Sequence, residues 1–124
     1  MTMYQEIKFL GTLQTLLDRS KVAYDAYIVN GQIFLYAKIL KKCNASIKKL
    51  LVEHAYLLPS PLSSNAIVII HHIDVWETIW DDLYENTEPT LTTVFTFENL
   101  VRFPKKEASI LMNYYESLRS SFEI

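Results

Sequence analysis

The chain has 124 residues, of which 13% are aromatic, and a formal net charge of −2. This length suffices for a buried core without a disulfide or a metal, and the aromatic and aliphatic content excludes a disordered chain. We therefore expect one globular domain over residues 1–124. A single cysteine, an N-terminus without a signal-peptide pattern and the lack of a long apolar run further predict a cytoplasmic protein.

The first part of the chain predicts a helix followed by a β-hairpin. From Thr2 to Arg19, apolar residues recur at helical spacing, and Thr2 with Gln5 forms a capping box at the helix start. Asn30-Gly31 then separates two apolar stretches. Because Asn-Gly favours the positive φ angles of a type I′ turn, this pattern predicts two antiparallel strands.

The second part predicts a helix from Asn44, a loop over Pro59–Asn65, a buried strand and two further helices. The β-branched run from Ala66 to Ile70 is typical of a strand covered on both faces. Asp74 with Glu77 predicts the start of the third helix. The predicted elements are helices from 2, 44, 74 and about 104, and strands at 22–29, 32–40, 66–73 and 92–97. This order, α-β-β-α-β-α-β-α, predicts an α+β fold with a mixed, four-stranded sheet covered by helices.

Charge is distributed unevenly along the chain. Residues 1–49 carry eight Lys and Arg against three acidic residues, whereas residues 50–101 carry eight acidic residues and no Lys or Arg. Chance and solvated helix faces account for such blocks. An acidic face directed at a basic partner accounts for them as well.

The predicted third helix has an acidic side opposite Trp76 and Trp80. We interpret this side as a surface for a basic protein partner, the alternative being an ordinary solvated helix face. The interpretation requires the carboxylates to be exposed and not paired with the lysines of residues 38–49. It favours a non-enzymatic adaptor, subunit, or inhibitor or immunity protein that competes with phosphate for a partner's cations. The residues concerned are Asp74, Glu77, Asp81, Asp82 and Glu85.

A group of lysines near the exit of the predicted hairpin forms a candidate basic patch: Lys38, Lys41, Lys42, Lys48 and Lys49. Solvated lysines are the simplest explanation, and phosphate binding is the alternative. No stacking aromatics alternate with these lysines, so nucleic-acid binding is not expected. The lysines can instead meet the acidic helix of a second copy, which would give a head-to-tail or a two-fold homodimer.

His71 and His72 end the predicted central strand, at an edge where open α/β sheets often bind ligands. His72, Asp74 and Glu77 are therefore the candidate groups of an alternative function, a small metal-dependent hydrolase or nuclease; the ordinary alternative is a structural, hydrogen-bonded histidine. Their spacing matches no metal motif, so neither a metal site nor a cofactor is predicted. A third alternative is a small-molecule sensor with an aromatic pocket formed by Tyr24, Phe34, Trp76 and Trp80.

Overall fold

The computed structural model describes residues 2–96 and 102–122, and these residues form four α-helices. The helices are α1 (Met3–Val29), α2 (Phe34–His54), α3 (Ser60–Thr87) and α4 (Lys105–Phe122), and a 3-10 turn, Ala55–Leu57, follows α2. Within the described ranges there is no strand, and Ile33 and Val94 form an isolated antiparallel bridge. The predicted α+β fold with a four-stranded sheet is therefore wrong, and the described chain is all-helical.

The helices form an antiparallel bundle in which α1 and α3 each pack against α2 and α4. The ring of Tyr4, at the start of α1, contacts the ring of Phe122, at the end of α4. Further along α1, Gly11 lies beside the side chain of Tyr115. These two contacts show that α4 runs antiparallel to α1.

Asn30-Gly31 ends helix α1 instead of turning a hairpin. Gly31 has a φ of +77°, and the N–H of Gln32 donates to the carbonyl five residues earlier at 2.9 Å, which is the closure of a Schellman motif. The strands predicted at 22–29 and 32–40 are wrong, since these residues belong mainly to α1 and α2. Asn and Gly serve both a type I′ turn and a helix C-terminus, so the dipeptide alone does not separate the two.

Burial along α3 explains why the strand predicted at 66–73 is wrong. Ile67 and Val68 are 59% and 43% exposed, although they lie within the β-branched run. A short apolar run fits a buried strand and a helix equally well, and only its pattern of burial separates them. The loop predicted at Pro59–Asn65 and the helix start predicted at Asp74 are also wrong, because α3 already begins at Ser60. The buried positions recur at helical intervals: Ala66, Ile69, Ile73, Trp76 and Trp80.

Helix α2 begins ten residues before the predicted start at Asn44. Its first turn is capped by backbone carbonyls from a segment that is distant in sequence. It has no side-chain cap. Instead, the N–H groups of Phe34 and Leu35 donate to the carbonyls of Thr93 and Leu91 at 2.8 and 2.9 Å. These bonds satisfy donors that a helix start otherwise leaves open.

The segment after α3 contains a turn at 91–92 and the isolated bridge at Val94, but no named strand among the described residues, so the strand predicted at 92–97 is wrong where it is described. The N–H of Phe95 donates to the Gln32 carbonyl at 2.8 Å, and the Tyr27 hydroxyl donates to the Phe95 carbonyl at 2.5 Å. Phe97, the last residue of that prediction, lies outside the described residues. The segment thus returns to the turn between α1 and α2.

The buried core consists of two clusters. One draws on all four helices and contains Leu13, Leu51, Ile69 and Leu111. The other is formed by α1, α2 and α3 together with Phe95, which is 1% exposed. Because α4 has 18 residues against 27 in α1 and 28 in α3, it covers only part of the bundle, and Phe95 fills the core beyond it.

Two sequence predictions near the chain ends are confirmed. Thr2 caps α1, since its hydroxyl accepts from the N–H of Gln5 at 3.2 Å and the Gln5 side chain accepts from the N–H of Thr2 at 3.0 Å. The predicted C-terminal helix also forms. It begins at Lys105, directly after Pro104, and buries Leu111.

Candidate functional site

Helices α2 and α3 run side by side in opposite directions, and their register brings lysines of α2 to the acidic side of α3. Lys41 Nζ lies 2.5 Å from Asp81 Oδ1, and Lys48 Nζ lies 2.6 Å from Asp74 Oδ1. On each helix the paired residues are seven positions apart, which is two turns and the same side. The α2–α3 face is the outer surface around these ion pairs, formed by Lys38, Lys41, Lys42, Ala45, Lys48, Lys49, Asp74, Glu77, Thr78, Asp81, Asp82, Tyr84 and Glu85.

Two lysines of α2 form ion pairs with α3 in the middle of the α2–α3 face. Lys48 lies between Asp74 and Glu77, whose Oε1 is 3.5 Å from Lys48 Nζ. The hydrogen bond to Asp74 and then the charge of Glu77 raise the pKa of the Lys48 ammonium. Lys41 pairs with Asp81, and its Nζ also lies over the ring of Trp80, 4.4 Å from the ring centroid. These contacts link five charged side chains across the two helices.

The pairing narrows the acidic surface predicted from the sequence. Asp74, Glu77 and Asp81 are all paired with lysines of residues 38–49, so the requirement that the acidic side be free of those lysines is not met for these three. Asp82 and Glu85 are exposed and form no ion pair with another described residue. The free acidic surface of the predicted set is thus reduced to Asp82 and Glu85.

The candidate basic patch is divided in the same way. Lys41 and Lys48 point to α3, whereas Lys38, Lys42 and Lys49 are exposed on the outer side of α2. Within residues 2–96 and 102–122, these three lysines form no ion pair. Their spacing of four and seven residues places them in one stripe along the helix.

A groove of about 400 Å³ lies between the two helices, near the start of α2 and the end of α3. Phe34 and Trp80 form its floor but are buried, and Lys41 covers the outer face of the Trp80 ring. The floor therefore offers no free aromatic plane on which a base or another flat ligand would stack. The other two residues of the predicted aromatic pocket lie elsewhere, Trp76 in the core and Tyr24 exposed on α1.

The residues of the alternative, metal-dependent function do not meet. His72 contacts the ring of Phe103, just before α4, with 5.7 Å between ring centroids, whereas Asp74 and Glu77 face Lys48 of α2. Burial lowers the pKa of His72. In the described part of the chain, no group of three or more His, Cys, Asp and Glu side chains is placed to hold a metal ion.

The chain was also compared with known proteins. No family model, curated protein or solved structure matches it. Among the described helices, none combines the length and the apolar character that a membrane span requires.

Sequence reasoning missed two parts of the α2–α3 face. The first is Tyr84, whose ring stacks against Phe34 and Trp80 but is 45% exposed and lines the groove. The second is the pairing between the two charged blocks. Its signal was present in the sequence, because the spacing of Lys41 and Lys48 equals that of Asp74 and Asp81.

Proposed function

We propose that this chain is a small, non-enzymatic binding protein of the cytoplasm, and that the free carboxylates of the α2–α3 face contact a basic protein partner. The observation that carries the proposal is that Asp82 and Glu85 are exposed without an ion-pair partner among the described residues, whereas Asp74, Glu77 and Asp81 beside them are paired. The cytoplasmic location is supported by the one cysteine, Cys43, which is a buried free thiol.

The position of these carboxylates on the helix supports a role in binding. Glu85 lies in the last turn of α3 and Glu88 is its C-cap residue, at the end where the helix dipole is negative, and the last turn contains no basic residue. Negative charge there opposes helix stability, so it does not serve the fold. A cationic partner would offset this repulsion and would be attracted before contact, which speeds association more than it adds affinity.

The geometry favours binding over the catalytic alternative. A metal-dependent hydrolase would need His72, Asp74 and Glu77 around one site, but His72 lies against the segment before α4 and the two carboxylates lie against α2. Two exposed carboxylates on the outside of a helix pair suit an adaptor, a subunit or an inhibitor of a cation-rich surface instead.

Affinity capture with a charge-reversed pair tests this proposal. The wild-type chain and the Asp82→Lys/Glu85→Lys variant are used as bait in native lysate, at low and then moderate salt. A matched control, Asp18→Lys/Glu116→Lys, makes the same change in net charge at exposed acidic positions of α1 and α4. Circular dichroism checks that all three are folded.

We expect a basic protein that the wild type and the control retain at low salt, that moderate salt releases and that Asp82→Lys/Glu85→Lys does not bind. If the two variants and the wild type retain the same proteins, Asp82 and Glu85 are not the contact residues and the proposal fails.

A further inference from the structure

The α2–α3 face carries two parallel stripes of opposite charge. Lys38, Lys42 and Lys49 form the stripe on α2, and Asp82 and Glu85 form the stripe on α3. The ion pairs of Lys41 and Lys48 lie between the stripes and leave both of them unpaired among the described residues. The face is therefore an electric dipole across the helix pair, positive on one side and negative on the other.

The register of the two helices sets which charges lie at the same height along the face. Lys41 and Asp81 lie at the same height along the helix axes. Because α2 and α3 are antiparallel, each later residue of α2 lies at the height of an earlier residue of α3. Lys38 is therefore level with Tyr84, within about 1.5 Å of the height of Glu85, and Lys42 lies within about 3 Å of the height of Asp82. The two stripes match in position as well as in sign.

Symmetry turns this match into a specific arrangement. Consider a second copy related by a two-fold axis that lies between the two faces and runs parallel to the helices. The acidic stripe of the second copy then faces the lysine stripe of the first at the same height. By symmetry, the lysine stripe of the second copy faces the acidic stripe of the first. A two-fold axis across the helices would place lysines on lysines. The charge pattern thus selects one of the two face-to-face arrangements.

The same axis brings an exposed aromatic residue to the centre of the contact. Tyr84 lines the groove between the helices and is 45% exposed, so it lies close to the axis. Its counterpart in the second copy would meet it there, over the two grooves. Aromatic residues near the centre of an interface are the usual source of affinity, whereas charged rims set orientation.

We propose that the α2–α3 face binds a second copy of this chain, with Lys38 against Glu85 and Lys42 against Asp82, each contact made twice. The proposal rests on the proposed function in that Asp82 and Glu85 are contact residues in both; here they meet Lys38 and Lys42 of the second copy. Because exposed ion pairs are weak and screened by salt, the dimer is weak and dissociates as salt is added.

Complementary charge reversal of the purified, full chain tests the dimer. Sedimentation equilibrium gives the dissociation constant at about 20 mM and about 0.5 M salt. One variant is Lys38→Glu/Lys42→Glu, the other is Asp82→Lys/Glu85→Lys, and each is measured alone and in an equimolar mixture. Matched controls are Lys21→Glu/Lys106→Glu and Asp18→Lys/Glu116→Lys, all at exposed positions.

We expect the wild type and both controls to dimerise at low salt and to dissociate at high salt. Each test variant alone should raise the dissociation constant more than about tenfold, because like charges then face each other. The mixture should restore association, since every reversed charge regains an opposite partner.

A wild type that stays monomeric at low salt, controls that weaken the dimer as much as the test variants, or a mixture no stronger than its parts would overturn the proposal. The two proposals fail separately. A monomeric pure chain that still captures a basic protein through Asp82 and Glu85 leaves the proposed function standing, and a dimer that captures nothing else leaves the present inference standing.

Discussion

The hydroxyl of Tyr114 donates a hydrogen bond to the carboxylate of Glu6, which joins the last helix to the first turns of α1. Glu6 is 9% exposed and is the one charged residue in the core of the described chain. A buried carboxylate is costly unless it is hydrogen-bonded. The attachment of α4 to α1 therefore depends on this polar contact as well as on the apolar cluster around Leu111.

Removing the Tyr114 hydroxyl should destabilise the protein markedly. We expect Tyr114→Phe to lower the free energy of unfolding by about 2 kcal/mol, because the bond to a charged group is lost and Glu6 stays buried without it. Urea denaturation measures the change. Tyr115→Phe removes the same atom from the next residue, whose hydroxyl has no hydrogen bond to a described residue, and should cost less than about 0.5 kcal/mol. Equal losses in the two variants would contradict the role of the pair.

Alkaline pH should weaken the fold through the same residue. Burial, followed by the hydrogen bond to Glu6 and the charge of Glu6, raises the pKa of Tyr114 to about 12. In the unfolded chain the pKa is about 10. The unfolded state therefore loses this proton first, so the stability that the shift provides is complete below pH 10 and is lost as the pH rises to about 12.

The free energy of unfolding, followed from pH 9 to about 12, should decline more steeply for the wild type than for Tyr114→Phe. Parallel curves would show that Tyr114 does not carry this dependence.

Acidic pH should act through His72. Burial lowers the pKa of His72 below the ordinary value of 6.5. As the pH falls, the imidazole is therefore protonated in the unfolded chain before it is protonated in the folded chain. The contribution to stability is complete above pH 6.5 and is lost as the pH falls through the folded value. Thermal unfolding between pH 7.5 and about 5 should show a smaller loss of Tm for His72→Gln than for the wild type. His71→Gln, at the exposed neighbouring position, should retain the wild-type slope.

Phe95 should contribute far more to stability than an exposed phenylalanine. Phe95→Ala removes a ring that is 1% exposed, and we expect a loss of about 3 to 5 kcal/mol in the free energy of unfolding. Phe122→Ala makes the same truncation at a ring that is 53% exposed and should cost less than about 1 kcal/mol. A loss of less than about 1 kcal/mol for Phe95→Ala would mean that the second core cluster packs equally well without the Phe95 ring.

The sequence predicted the ends of the fold and missed its middle for a local reason. The capping box at Thr2 and the periodic C-terminal segment have one interpretation each, and both helices form. Asn30-Gly31 and the β-branched run over 66–70 have two interpretations each, and the choice depends on which residues are buried. That information is supplied by packing between helices, which overrides local β-propensity.

The candidate surface was predictable in its charges but not in their pairing. From the sequence, the acidic residues from Asp74 and the lysines from Lys38 are both predicted as candidate surfaces. Assigning a strand to 66–73 and a strand to 32–40 hid the fact that both blocks lie on long antiparallel helices. Once the helices are known, the equal spacing of Lys41–Lys48 and Asp74–Asp81 explains why two of these lysines pair with three of these acidic residues.

The distant capping of α2 has a consequence for motion. The N–H groups of Phe34 and Leu35 donate hydrogen bonds to carbonyls of the segment that follows α3 in the chain. In the opposite direction, the N–H of Phe95 donates to the carbonyl of Gln32. In native-state hydrogen exchange these three amides should therefore become unprotected together, as one cooperative opening. Phe34 and Lys38, in the first turns of α2, line the groove. Release of the segment after α3 would therefore loosen one wall of the groove, and the proposed binding surface would share a single local equilibrium with that segment.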